Sequence, residues 1–121
     1  MLEVRVQRTF RLTRSQDFKR VRQSGKSYAH PLVVLIAQAN DEMNIRVGVA
    51  AGRTVGTAVK RNRAKRLLRE AMRPFIPSLA SGWDLILIAR PALASSTLTD
   101  THQALLNVLQ RAQLISNSDA I

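Results

Sequence analysis

The chain contains no cysteine among its 121 residues. Disulfides, thiolate nucleophiles and cysteine-based zinc or iron–sulfur sites are therefore excluded. Aromatic residues are also scarce, at 4% of the sequence against 45% hydrophobic residues overall, so we expect a core of Val, Leu, Ile and Ala. The length suits a single domain, which we assign to residues 1–121 with an ordered core of about 8–115.

Long apolar runs are missing as well. The longest is LVVLIA at Leu32–Ala37, far short of the ~20 residues that a membrane-spanning helix needs. The opening residues, MLEVRVQRTFRLTR, carry arginine throughout and lack the apolar segment of a signal peptide. We therefore expect a cytoplasmic protein with no membrane partner.

Acids and histidines are few and dispersed, at eight Asp plus Glu and two His. Asp17 and Glu70 lie among basic residues and are interpreted as local ion-pair partners, and Asp84 as a cap at the start of a strand. His30 and His102 are far apart in sequence, without a second ligand at metal spacing. We predict no catalytic residues and no metal site in the protein.

Basic residues are abundant, and they are concentrated. The chain has 19 Lys plus Arg and a formal net charge of +11. Eight of them precede residue 27 and seven more lie in residues 59–73, so these two blocks hold fifteen of the nineteen. Charge gathered in this way predicts a polyanionic partner, and nucleic acid is the first candidate.

The second basic block, VKRNRAKRLLREAMR at 59–73, is also predicted to be an amphipathic helix. One acid among seven bases favours an anionic partner over a merely solvated face, because like charges repel on a helix. If about six phosphates are neutralised, affinity should fall with salt at a log–log slope of roughly −4 to −5. Apolar residues at helical spacing form one stripe: Ala64, Leu67, Leu68, Ala71, Met72 and Phe75.

Hydrophobic periodicity predicts the order helix, strand, strand, helix, strand, helix. This pattern indicates an α+β fold in which helices cover a small sheet. A capping box at Thr13 and Gln16 would begin the first helix and Gly25 would end it, and the first two strands would form an antiparallel hairpin. The other elements are the basic helix, a strand covered on both faces and a last helix; the predicted bounds outside the basic helix are 13–23, 27–39, 45–51, 83–90 and 98–114.

Phe18 lies beside Lys19, Arg20 and Arg22 in the first basic block. Two interpretations are open. The ring is either a core residue of the first helix or an exposed platform on which a nucleic-acid base stacks.

The segment VGTAVKRNRAKRLLREAMR at 55–73 resembles the signature helix of the bacterial ribonuclease P protein component, centred on Arg61-Asn62-Arg63. Other segments resemble that family in the same order along about residues 8–115: SQDFKRVRQSGKS, LVVLIA, RVGVAA and WDLILIARPA.

The resemblance implies a protein cofactor of a ribozyme. A large RNA subunit would cleave the 5′ leader from precursor tRNA with magnesium ions that the RNA holds, and the protein, a monomer when alone, would contribute no catalytic group. The implied fold is an α–β sandwich with a four-stranded, mostly antiparallel sheet and a left-handed βαβ crossover. The fourth strand would come from residues 28–39, divided near Pro31, or from the amino-terminal stretch.

The resemblance also assigns residues to two RNA surfaces. A cleft for the single-stranded leader would include Phe18, Arg22, Arg14 and Ile36. Three departures from the family pattern affect these surfaces: Gly52-Arg53-Thr54 has one charge fewer than the usual turn, and Arg22 and Ile36 stand where aromatics are frequent. The surface for the catalytic RNA would comprise Arg53, Lys60, Arg61, Asn62, Arg63, Lys65, Arg66, Arg69 and Arg73.

Three other functions are compatible with parts of this pattern. A structural RNA binder of ribosomal type would share the charge and the helix but would not affect cleavage of precursor tRNA. A self-sufficient nuclease needs an acid cluster that the sequence lacks. Helix-turn-helix DNA binding is disfavoured, because prolines and a strand follow the basic helix.

Overall fold

The computed structural model describes residues 12, 14–41 and 43–115. In the described part three helices and four strands follow one another, and no helix there is long and apolar enough to cross a membrane. Their bounds are α1 Ser15–Ser24, β1 Lys26–Ala29, β2 Val33–Ala39, β3 Ile45–Ala51, α2 Ala58–Met72, β4 Trp83–Ala89 and α3 Leu98–Arg111.

The four strands form one sheet in the order β1-β2-β4-β3. β1 and β2 are an antiparallel hairpin, and Pro31 lies in its turn, where His30 and Val33 exchange backbone hydrogen bonds. The predicted division of residues 28–39 near Pro31 is therefore confirmed as the origin of the fourth strand. β2 and β4 are also antiparallel, so the sheet is mostly antiparallel, as expected.

The predicted hairpin between residues 27–39 and 45–51 is wrong. β4 lies between β2 and β3, and β3 pairs with it in parallel through the α2 crossover. The connection from β2 to β3 passes the start of β4, where the backbone N–H of Asn40 donates to the carbonyl of Gly82 and that of Gly82 donates to the carbonyl of Asn44. β4, in which residues 84–87 are all buried, thereby takes an inner position beside β2. The left hand of the β3-α2-β4 crossover stays a prediction.

One face of the sheet packs against α2 and α3 and forms the main core. Alternate residues of β2, β3 and β4 point into it, and α2 contributes four residues of the predicted stripe, while Phe75 packs against it from the 3₁₀ segment Arg73–Ser78 that follows the helix. Leu67, also predicted in the stripe, is half-buried and is not part of this core. The ring of Phe75 stacks on His102 of α3 at a centroid distance of 4.5 Å. The most deeply buried members of the two helices are Ala64, Leu68, Ala71, Met72, Ala104, Leu105, Val108 and Leu109.

The other face of the sheet carries α1. This helix begins at Ser15 and ends before Gly25, close to the predicted bounds, while the capping role assigned to Thr13 lies outside the described residues. A smaller apolar cluster joins the helix to the strands, and its members are Leu12, Val21, Ile36 and Ile86. Leu12 also donates to the carbonyl of Val47 and so pairs with the edge of β3.

Candidate RNA interface

Two glycines allow α1 to pack directly on the sheet. A Cβ on Gly48 of β3 would lie 2.5 Å from Cζ of Phe18 and 2.9 Å from the carbonyl oxygen of Leu12. A Cβ on Gly25 would lie 2.7 Å from a methyl carbon of Ile36. Real Cβ atoms do not approach so closely, so both positions require the absence of a side chain.

A buried carboxylate fixes one flank of α1 to the sheet. The side chain of Asp84 is 0% exposed and accepts two hydrogen bonds from Arg46, at 2.9 Å from Nε and 2.8 Å from Nη2. Arg20 of α1 and Nδ2 of Asn40 also donate to it. Burial of Asp84 on its own raises its pKa, but the bonds from Arg46, Arg20 and Asn40 outweigh burial and hold the pKa below its usual value. The predicted role of Asp84 as a cap is therefore wrong.

Asp17 connects α1 to the same network. Arg14 donates to its carboxylate at 3.0 Å and Arg20 at 3.5 Å, as expected of a local ion-pair partner. Arg46 of β3 adds a longer ion pair at 3.7 Å. The hydrogen bond from Arg14, aided by these charges, keeps the pKa of Asp17 below its usual value in spite of burial.

A half-exposed apolar row lies on this face of the sheet. The strand register aligns Ala29, Val34, Ile88 and Ala50 across all four strands, and none of these side chains is buried. On the helical wheel, Phe18 lies on the flank of α1 opposite to Asp17 and Arg20. The result is a shallow groove, which we name the α1 groove, formed by this row of four residues and by Phe18.

The four predicted cleft residues have different positions. Phe18 is half-buried and packs against the small cluster beneath α1, and Arg22 is exposed one turn later on the same flank. Arg14 is exposed but pairs with Asp17. Ile36 is only 6% exposed, so it supports α1 from below and offers no surface of its own.

α2 starts at a well-defined amino end. Thr57 is the cap residue, and its hydroxyl accepts a hydrogen bond from the backbone of Lys60. Gly56 precedes it with a φ of 132°, a conformation that favours glycine. The turn before it contains a short 3₁₀ segment at Arg53–Val55, and the side chain of Arg53 is exposed.

The outward face of α2 carries the predicted RNA-binding residues, and they are not equivalent. Arg63 donates to the backbone carbonyls of Ala94 and Ser96, and Arg73 pairs with Glu70. The Nε of Arg61 is buried and has no hydrogen-bond partner among the described residues. Side-chain exposure falls into two groups: exposed Lys60, Asn62, Arg63, Arg66 and Arg69, and half-buried Arg61, Lys65 and Arg73.

Three of these cations have no hydrogen-bond or ion-pair partner among the described residues. They are the side chains of Lys60, Lys65 and Arg66. Positive charges without internal partners, on the outward face of a helix that packs against the core, form a surface that suits phosphates.

The family model described as Ribonuclease P matches residues 6–113. The chain belongs to the ribonuclease P protein family. The resemblance carried by the Arg61-Asn62-Arg63 helix is thereby confirmed, and so is membership in the protein component of this tRNA-processing ribonucleoprotein.

Curated relatives from this family match the chain over nearly its whole length. The ribonuclease P protein component of Herpetosiphon aurantiacus is 39% identical over 109 residues, covering 90% of this chain and 89% of the relative. That of Brevibacillus brevis is 38% identical over 112 residues, covering 92% and 89%.

Solved structures of ribonuclease P proteins share the fold. The protein from Staphylococcus aureus aligns with a TM-score of 0.80 and 28% identity, covering 88% of this chain and 98% of that one. The protein from Thermotoga maritima aligns with a TM-score of 0.74 and 30% identity, covering 84% and 96%.

Sequence reasoning missed the charged network under α1 of this ribonuclease P family member. Its signal was present, because an aspartate inside the run WDLILIA and an arginine at the start of RVGVAA interrupt strands that are otherwise apolar. The register pairs Arg46 with Asp84, so the two side chains lie side by side on the α1 face. Among the described residues no three His, Asp or Glu side chains come together to hold a metal ion.

Proposed function

We propose that this chain binds the catalytic RNA of ribonuclease P through the outward face of α2 and the 5′ leader of precursor tRNA through the α1 groove. The RNA subunit then performs the hydrolysis with magnesium ions that it holds itself. The observation that carries the proposal is the pair of surfaces on opposite layers of the fold, one strongly basic and one half-exposed and apolar.

The α2 surface suits an RNA backbone. Its apolar side is used up in the core, so the helix is rigidly held, and Lys60, Lys65 and Arg66 have no competing partners in the described part of the chain. Such cations release counterions when they meet phosphates, and this supplies affinity without requiring a base sequence. A rigid basic helix therefore supports a role in positioning a folded RNA.

The α1 groove suits a single strand. Its floor is apolar, and Phe18 offers a ring edge or face that a base could contact, while Arg22 and Arg14 supply charge nearby. Single-stranded nucleic acid is commonly held by a stacking side chain together with a basic flank. Phe18 is the one aromatic among the described residues of the groove, and a single ring offers little area for stacking. We therefore assign much of leader binding to charge.

The chemistry is assigned to the RNA subunit because three acids are held in ion pairs and no group of acids among the described residues could hold a metal ion. Asp84 and Asp17 are engaged by arginines, and Glu70 pairs with Arg73. A protein that hydrolyses a phosphodiester with magnesium needs a cluster of free carboxylates. Magnesium is therefore expected to act in the holoenzyme through the RNA.

The test is cleavage of precursor tRNA at low magnesium by a bacterial ribonuclease P RNA, with the chain, without it, and by the chain alone. Strong stimulation only when both are present supports the cofactor role. An active RNA that gains nothing would indicate a general RNA binder of ribosomal type, and cleavage by the chain alone would overturn the assignment of chemistry to RNA.

A matched pair of variants tests the α2 surface by titration with the same RNA at several salt concentrations. Lys65→Ala and Arg111→Ala each remove one positive charge, but Arg111 lies at the end of α3 and donates to the carbonyl of Ala29. Lys65→Ala should reduce the slope of log Kd for the RNA against log salt by roughly 0.7–0.9, and Arg111→Ala should leave that slope unchanged. Equal slopes for the two variants would remove α2 from the interface.

A further inference from the structure

Arg63 differs from Lys60, Lys65 and Arg66 of α2 in what it contacts. Its Nε donates to the carbonyl of Ala94 at 2.8 Å, and its Nη2 donates to the carbonyl of Ser96 at 3.2 Å. These two N–H groups lie on one edge of the planar guanidinium, so the side chain grips two backbone oxygens at once. Arg66, which follows one turn later, makes no such bond among the described residues.

The gripped segment connects β4 to α3. It contains a short 3₁₀ helix at Pro91–Ser95, anchored by Leu93, which is fully buried. Ser96 follows three residues after Leu93, and Thr97 then caps α3 by accepting a hydrogen bond from the backbone N–H of Asp100. Arg63 therefore connects α2 to the segment immediately before the amino end of α3.

We infer that Arg63 is a positioning residue that holds the segment 94–96 against α2, and that the phosphate contacts of the helix are made by its uncommitted cations, Lys65 and Arg66 among them. The inference rests on the proposed function of the α2 surface, and it divides the signature Arg61-Asn62-Arg63 into residues with different tasks. Arg63 influences RNA affinity through the shape of the surface.

The salt dependence of binding separates the two tasks. A side chain that neutralises a phosphate releases a counterion, so its removal lowers the slope of log Kd against log salt by about 0.7–0.9. A side chain that only positions the surface can weaken binding at every salt concentration while the slope stays the same. Substitution by lysine also distinguishes the two roles. A lysine ammonium can pair with a phosphate, but it cannot reproduce the two hydrogen bonds that the guanidinium of Arg63 makes.

The experiment compares Arg63→Ala and Arg63→Lys with the matched controls Arg66→Ala and Arg66→Lys. Hydrogen exchange in the free full-length chain reports on the segment, because the amides of Leu93 and Ser96 are hydrogen-bonded and therefore protected. Both Arg63 variants should raise exchange at these two amides by roughly three- to tenfold over the change in global stability. Neither Arg66 variant should do so.

Titration with a bacterial ribonuclease P RNA at several salt concentrations completes the test. Arg63→Ala and Arg63→Lys should weaken binding about equally and leave the slope at its original value. Arg66→Ala should lower the slope by about 0.7–0.9, and Arg66→Lys should restore it. If Arg63→Ala lowers the slope as Arg66→Ala does, or if exchange at Leu93 and Ser96 is unchanged, the inference is overturned.

Failure of the proposed function has a different signature. If the unmodified chain does not bind the RNA, the proposed α2 surface fails, whereas the exchange measurement on the free chain still decides whether Arg63 holds the segment. If Arg63→Ala does not fold, Arg63→Lys supplies both measurements with the charge retained.

Discussion

The two faces of the sheet are held by different forces. On the face toward α2 and α3, a continuous apolar cluster covers alternate residues of the three long strands, β2, β3 and β4. On the face toward α1, the apolar cluster of described residues has only Leu12, Val21, Ile36 and Ile86, and a network of arginines and aspartates holds the helix beside it.

This difference explains why one face is closed and the other is open. Apolar packing is non-directional and leaves little surface uncovered, whereas ion pairs fix a helix by one flank. Because Asp17 and Arg20 attach α1 along that flank, the row through Val34 and Ile88 on the other side stays half-exposed. The charged network is thus what makes a groove compatible with a stable sheet.

Asp84→Asn should have the largest effect on stability, because it leaves Arg46 and Arg20 without their buried partner. Breaking a buried ion pair from one side costs about 3–5 kcal/mol. Chemical denaturation should show this loss, while Asp41→Asn in the exposed connection after β2 should stay within about 0.5 kcal/mol. A loss below about 1 kcal/mol for Asp84→Asn would mean that packing alone holds α1.

Leu68→Ala should cost somewhat less, about 3 kcal/mol, by opening a cavity where α2 meets the core. Leu68 is 0% exposed, and Val59 on the same helix is 78% exposed, so Val59→Ala is the matched control. The two large losses should differ in hydrogen exchange. Leu68→Ala should lower protection on both faces together, whereas Asp84→Asn should in addition loosen α1 locally; identical exchange patterns would contradict the distinction between the faces.

Much of the fold followed from periodicity in the sequence. The apolar stripe of α2 and the buried run of β4 were predicted within a few residues, because both depend on local spacing. Strand pairing was not predicted. A short connection joins β2 to β3, but β4, about forty residues later, lies between them. Local patterns do not contain that order, because it depends on contacts between residues that are far apart in the sequence.

The candidate sites divide along the same line. The basic face of α2 was predicted from the pattern of one helix. The different partners of its basic residues were not, because Arg63 donates to the carbonyls of Ala94 and Ser96, about thirty residues away. The α1 network likewise joins residues from three separate elements. The residues alone left two interpretations of Phe18 open and the resemblance favoured the exposed one, whereas the half-buried ring, packed on Gly48, has features of both.

Phe18→Ala should reduce binding of precursor tRNA about tenfold while binding of mature tRNA changes little, since a stacked base is worth about 1–3 kcal/mol. Phe75→Ala is the control, because this aromatic belongs to the opposite face, where it stacks on His102. It should lower stability without altering the ratio of the two affinities. Equal loss of precursor and mature tRNA binding in Phe18→Ala would remove the α1 groove from leader recognition.

Low pH should destabilise the packing of α1 by protonating Asp17 and Asp84. The contribution of Asp17 should be the smallest of the predicted effects on stability. The folded chain lowers the pKa of both carboxylates, so the stability that they contribute is present above the unfolded pKa of about 3.9 and is lost as the pH falls through the lower folded values. Melting temperatures at pH 7 and pH 3 should therefore differ less in Asp17→Asn than in the unmodified chain. Asp41→Asn, whose side chain makes no ion pair among the described residues, should keep the full difference. If Asp17→Asn keeps it as well, Arg14 and Arg46 contribute nothing measurable to holding α1, and Asp84 alone anchors the helix.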